Sequence, residues 1–306
     1  MEEIIKVKHL KKYFKDVKAV DDISFSVEKG EMFGFLGVNG AGKSTTINML
    51  CTLYSPTEGN VEVDGLVLGK DDEEIKRHIG VVYQNNCLDK LLTVKENLLL
   101  RGGLYETDSK KLKDNLEYVC SALELEDVLD RRYGKLSGGL KRRCEIARSL
   151  MHTPDILFLD EPTTGLDPAT RKSVWEAVSK MQNEMDMTVF LTTHYMEEAA
   201  RAKHIAIMNT GKLAMFGTPF SLKEDFAKDR LRLIPKDSCR QQLVGSLESN
   251  EIPFLLHKNH LTVFIDSTFS ALPLIERIKG YIEGFEVIQG TMDDVFLNVT
   301  NGGAEL

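Results

Sequence analysis

Residues 37–45 read Gly37-Val38-Asn39-Gly40-Ala41-Gly42-Lys43-Ser44-Thr45, a phosphate-binding loop of the form GxxxxGK[ST]. The apolar run Met32-Phe33-Gly34-Phe35-Leu36 before it reads as a buried strand, and Ser44 to Leu50 opens a helix. Backbone N–H groups of the turn and the positive end of the helix dipole then converge on one point, which calls for an anion. In this pattern Lys43 reaches the terminal phosphates of a nucleoside triphosphate and the Ser44 hydroxyl ligates Mg²⁺. Strand, glycine turn and helix in that order set an α/β fold.

The 306 residues suffice for one sizeable α/β domain and a small appendage. A formal net charge of -8 argues against a broad nucleic-acid footprint, so the basic triplet Lys141-Arg142-Arg143 reads as a solvated helix face. Five scattered cysteines without a CxxC pair read as reduced, mostly buried thiols of a cytosolic protein, not a disulfide frame or a zinc site. The amino terminus shows no apolar segment after a basic start, hence no signal peptide. No apolar stretch approaches the roughly 18 residues that span a bilayer, so any membrane role comes through a partner.

Alternation predicts strands at Ile4–Leu10, Val20–Val27, Gly59–Gly65 and Ile79–Tyr83, with a turn at Glu28–Glu31 and an acidic helix start at Asp71–Glu74. From Thr93 to about Asp130 the apolar spacing turns helical, and Lys141–Met151 is a further helix. Ile156–Leu159 reads as a central parallel strand buried on both faces. A helix over Ala169–Met185, a strand over Thr188–Thr193, and a hairpin around Asn209-Thr210-Gly211 follow. Beyond about residue 220 the order becomes β-α-β-β-α-β, that of a small ferredoxin-like domain: Arg230–Ile234, Cys239–Leu247, Phe254–Leu256, Leu261–Ile265, Leu272–Ile282 and Phe285–Ile288. Asp293–Val299 is a short terminal helix, and the chain is expected to fray from Asn301. The domains expected are therefore 1–219, with a helical subdomain at about 88–150, and 220–306.

Two further segments say what the triphosphate is for. Ile156 to Glu161 delivers adjacent carboxylates to the carboxyl end of a strand, where an α/β sheet keeps its ligands. Asp160 can hold the Mg²⁺ shell, and Glu161 then faces the γ-phosphate and polarises the attacking water. Leu136-Ser137-Gly138-Gly139-Leu140 precedes a helix as a second glycine turn with a hydroxyl and open amides. One chain already has its phosphate loop. Two copies packed head to tail would lay this turn over the nucleotide of the other.

Taken in order and spacing, the phosphate loop, Gln84, Leu136 to Gly139, Ile156 to Pro162, Gly165-Leu166-Asp167 and His194 resemble the nucleotide-binding subunit of an ATP-binding cassette (ABC) transporter. The resemblance covers residues 1 to about 217. It implies the family's ATPase fold, a mixed sheet with a helical subdomain, and ATP with Mg²⁺ as ligands. It implies that Tyr13, ahead of the first long strand, stacks on adenine, and that Gln84 senses Mg²⁺ and water while its loop touches a membrane subunit. It also implies that Asp167 couples two sites across a dimer and that His194 contacts the γ-phosphate as a switch. One departure is Leu140, where the family most often has glutamine; the amide cradle is unaffected, but any contact of that glutamine is lost. Gln84 to Asp89, Leu92 to Asn97 and the terminal Asp294-Val295-Phe296-Leu297 are similar to antibiotic-resistance exporters of the daunorubicin type, whose membrane partners are separate ABC-2 permeases.

The expectation is an ATPase subunit that dimerises around two Mg·ATP, sits on the cytoplasmic face of the cell membrane through its permease, and energises export without contacting nucleic acid. A soluble ABC ATPase of DNA or ribosomes would need a long insertion before Ser137 or a second cassette. An importer ATPase is a further alternative. A non-hydrolysing switch fits poorly with Glu161 and His194.

Overall fold

The fold is that of a computed structural model describing residues 2–300; the tail from Asn301 lies outside the described residues. Two compact units divide at Gly217 and Thr218.

The first unit runs β1 (Glu3–Phe14), β2 (Val17–Glu28), β3 (Met32–Gly37), α1 (Lys43–Leu50), β4 (Glu58–Val63), β5 (Leu66–Val67), α2 (Asp72–His78) and β6 (Ile79–Val82). It continues through α3 (Val94–Gly102), α4 (Ser109–Ala122), α5 (Gly138–Leu150), β7 (Ile156–Asp160), α6 (Pro168–Met185), β8 (Thr188–Thr193), α7 (Met196–Ala199), β9 (His204–Asn209) and β10 (Lys212–Gly217). Strands β10-β9-β3-β8-β7-β6 form a six-stranded sheet, parallel except for β10. Strands β2-β1-β4-β5 form a separate antiparallel sheet.

Parallel strands covered on both faces must be apolar throughout, and β3, β7 and β8 are buried almost end to end. Phe25 of the antiparallel sheet stacks on Phe33 of β3 at 5.6 Å, and Phe33 lies 5.2 Å from Phe190 of β8, joining the two sheets in one core. Register aligns the strand ends: Leu36 pairs with Thr193, and Asp160 with Thr192. The loops after β3, β7 and β8 therefore leave the sheet at one edge.

Two local expectations need correction. The first hairpin is longer than alternation suggests, because Tyr13 still pairs with Lys18 and Phe14 with Val17. Register shifts near Leu10, with His9 at φ 51°, disguise the period of two. Tyr13 thus lies inside the first long strand, not ahead of it. Helix α5 starts at Gly138, so the second glycine turn is its first turn.

The second unit holds α8 (Pro219–Phe226), β11 (Asp229–Pro235), α9 (Arg240–Ser249), β12 (Phe254–Leu256), β13 (Leu261–Ile265), α10 (Ala271–Ile278), β14 (Ile282–Ile288) and α11 (Met292–Thr300). Its sheet is antiparallel, ordered β12-β13-β11-β14. Leu231 and Leu233 of β11 pack with Leu243 and Leu247 of α9 and Ile278 of α10. Helix α10 stops before Gly280, short of the predicted Ile282, which begins β14 instead. Helix α8 went unpredicted: Thr218 and Ser221 form its capping box and Pro219 its first turn, signals that also read as a linker.

Candidate nucleotide site

The loop after β3 passes through Gly37, Gly40 and Gly42 at φ 156°, 82° and 106°. Glycine is required at Gly42, where a Cβ would stand 2.3 Å from the Ala19 carbonyl. Gly42 is also the N-cap of α1 and offers no capping side chain. The first-turn amides of Lys43, Ser44 and Thr45 are thus left for an external acceptor, and an anion fits. Val38, Asn39, Gly40 and Ser44 are exposed, Thr45 is half-buried and Ala41 is buried. Lys43 is buried, with Nζ donating to the Gly37 carbonyl at 2.7 Å and to Val38 at 3.2 Å. Desolvation pulls its pKa down, opposed by Glu161 and Asp160.

Those two carboxylates end β7. Asp160 Oδ1 accepts from the Thr192 hydroxyl at 2.6 Å. Glu161 adopts a left-handed backbone with φ 46°, its amide donating to the Thr192 carbonyl and hydroxyl, each at 3.1 Å. Its Oε2 accepts from Gln84 Nε2 and from the Thr164 hydroxyl, both at 3.2 Å, and His194 Nδ1 lies 3.5 Å away. No hydrogen bond engages Oε1 among the described residues. Oxygen donors of Asp160, Gln84 and Ser44 are the hard ligands that Mg²⁺ prefers. Gln84 and His194 thus gather on Glu161, and Lys43 of the phosphate loop feels the charge of Glu161 and Asp160.

The second glycine turn stands apart: no hydrogen bond or ion pair joins Ser137, Gly138, Gly139 or Asp167 to the phosphate loop among the described residues. Ser137 caps α5 by accepting from the Leu140 amide at 3.4 Å. Asp167 caps α6, accepting from the Thr170 amide at 3.1 Å and hydroxyl at 2.5 Å. A Cβ on Gly139 would meet Thr170 Cγ2 at 2.3 Å, so the two helix starts are in close contact. Tyr13 is half-buried, its hydroxyl donating to Asp21 at 2.8 Å with Lys18 over the ring.

The solvated basic triplet is overturned. Arg142 is buried, and its guanidinium donates to the carbonyls of Pro162, Tyr83 (2.6 Å) and Asp160 (3.4 Å). Desolvation takes its pKa down to about 10, with Glu145 and Asp160 opposing. Arg143 bonds the Leu123 carbonyl, Glu124 and Ser173. Sequence reading also missed Glu145, which is buried; its Oε1 accepts from the amides of Cys87 (2.7 Å) and Leu88 (3.0 Å) and from the Tyr133 hydroxyl. The available signal was spacing: Arg142, Glu145 and Arg148 lie three apart on one helix face.

A family model described as ABC transporter matches residues 20–164. The probable multidrug ABC transporter ATP-binding protein YbhF of Escherichia coli K12 is 41% identical over 228 residues, 74% of this chain and 39% of YbhF. The chain thus spans about two fifths of YbhF. The daunorubicin/doxorubicin resistance ATP-binding protein DrrA of Streptomyces peucetius is 35% identical over 98% of this chain and 93% of its own length. Among solved structures, the ATP-binding cassette MJ0796, in a dimeric post-hydrolysis state with ADP and Pi, superposes with a TM-score of 0.63 at 28% identity, over 70% of this chain and 98% of that one. CbiO1 of Clostridium perfringens, part of an ABC transporter complex, superposes at 0.68 with 26% identity, over 72% and 91%. Sheet order, loop geometry and relatives agree that this chain belongs to the ABC transporter family, with an ATP-binding cassette as its first unit.

Proposed function

We propose that the chain is the ATP-hydrolysing subunit of an ABC exporter of drug-type substrates. The observation that carries this is the meeting of Gln84, Thr164 and His194 on one oxygen of Glu161. With Oε2 so engaged, Oε1 is the basic atom left to accept a proton from attacking water. Lys43 supplies fixed positive charge and the amides of residues 37–45 supply donors, so phosphate charge is met by groups that need no reorganisation. Mg²⁺, held by Ser44, Asp160 and Gln84, would neutralise phosphate oxygens and polarise the bond that breaks. Tyr13 supplies the aromatic face for the base, reached by release of its hydroxyl from Asp21.

Ser137, Gly138 and Gly139 have no nucleotide of their own to serve. They cover the ATP of a second copy, and Asp167, anchored beside Gly139 through Thr170, links the two sites. Nucleotide then shifts the population toward the closed dimer, and hydrolysis releases it. No helix among the described residues is long and apolar enough to cross a membrane. Motion would pass through the Gln84 loop and helices α3 to α5 to a separate ABC-2-type permease at the cytoplasmic face. The β-α-β-β-α-β unit from Thr218 onward fits a ferredoxin-like accessory domain, its sheet order reading fourth-first-third-second strand.

Phosphate release from Mg·ATP by the purified chain is the test. Hydrolysis lost with EDTA and in Glu161→Gln is expected. A chain that neither binds nor hydrolyses ATP would end this reading.

A further inference from the structure

Arg142 is a buried cation whose hydrogen bonds all go to backbone carbonyls. The choice of carbonyls is informative. Asp160 and Pro162 flank Glu161 on either side, and Tyr83 immediately precedes Gln84. One rigid guanidinium therefore holds the main chain just before Gln84 and on both sides of Glu161, the pair whose side chains meet at 3.2 Å. Glu161 needs such support. Its φ of 46° is disfavoured for a residue with a Cβ, and such backbones persist only where surroundings over-determine them. Thr192 braces the Glu161 amide, and Arg142 braces the carbonyls around it.

The parent helix adds a second argument. Arg148 donates to the Val81 carbonyl at 2.6 Å, and Glu145 accepts the Cys87 and Leu88 amides. Helix α5 thus holds the backbone on both sides of Gln84, at Val81 and Tyr83 before it and at Cys87 and Leu88 after it. Only Arg142 reaches on to the Glu161 turn. A planar fork of donors suits three carbonyls in different directions, which a single ammonium cannot match.

We propose that Arg142 is a positioning residue for ATP hydrolysis: it sets the spacing between the Gln84 and Glu161 backbones and so aims the Glu161 carboxylate at the attacking water. This rests on the reading of Glu161 as the hydrolytic carboxylate.

The test uses the full chain with Arg142→Lys, Arg142→Gln, Glu161→Gln and the Arg142→Lys/Glu161→Gln pair, measuring ATP binding, KM, kcat and thermal midpoint. The expected result is a kcat lowered roughly tenfold in Arg142→Lys, as misplacement of a reacting group produces, with KM and bound ATP unchanged. In the Glu161→Gln background the same change costs nothing further, because Arg142 acts through that carboxylate. Should Arg142→Lys not fold, Arg142→Gln, which keeps a planar two-donor head, is read by the same criteria. A kcat that stays at the wild-type value, falls only in step with bound ATP, or drops again in the Glu161→Gln background overturns the proposal. A wild type without hydrolysis instead removes the reading of Glu161 on which it stands.

Discussion

Gln84 and Glu161, 77 residues apart in sequence, meet through Nε2 and Oε2 at 3.2 Å. The contact links the loop after β6 to the turn after β7, neighbours in the parallel sheet. The glutamine amide occupies Oε2, and among the described residues Oε1 accepts no hydrogen bond, so in the proposed reaction the two oxygens of one carboxylate have separate tasks.

Glu161→Gln keeps the shape and the Gln84 contact but removes the proposed base. Turnover should fall by at least about a hundredfold, the usual range for a lost general base, while ATP affinity is kept. Light scattering with ATP should then show dimers accumulating. Normal turnover in a phosphate-release assay would remove Glu161 from the reaction.

Lys43→Ala deletes a charge and also the bonds that tether the Gly37 and Val38 carbonyls. ATP affinity should weaken on the order of tenfold to a hundredfold, as for a lost charge-assisted hydrogen bond. Titration calorimetry reads this directly, and an unaltered affinity would contradict the phosphate assignment.

Gly139→Ala places a methyl where Thr170 Cγ2 sits, and Asp167 holds the Thr170 hydroxyl so that the side chain cannot turn away freely. The cost should be about 1–3 kcal/mol of overpacking, read by urea unfolding. Thr170→Ser, lacking that methyl, should restore most of it. A Gly139→Ala protein of full stability would mean that the α5–α6 contact is looser than described.

His152 stacks on Tyr105 at 4.1 Å and shares a 3.0 Å hydrogen bond with the Ile79 carbonyl. Desolvation holds its pKa below the usual 6.5. The folded state therefore prefers the neutral ring, and below 6.5 the unfolded chain takes up the proton first. Stability contributed at higher pH is lost as pH falls from 6.5 toward the folded value. Unfolding curves across that window should show this loss in the wild type and a flatter profile in His152→Gln; identical profiles would refute the assignment.

Glycine spacing at 37–45, the apolar run at 156–159 and the capping turn at 137–139 were readable because each is a local constraint. Neighbouring residues dictate positive φ, burial on both faces, or a free helix end. From these alone follow the α/β class and the proposed phosphate loop and carboxylate pair. Arg142 was misread because its meaning is not local: Lys141-Arg142-Arg143 looks solvated until α5 is laid beside the ends of β6 and β7. Glu145 and Thr192 were silent for the same reason, and Tyr13 was misplaced because bulges broke the alternation of β1. Chain chemistry determined which groups this protein carries to the sheet edge. Sheet register and helix docking decided which of them touch, since contacts across 59 or 77 residues depend on how whole elements align and not on any neighbour in sequence.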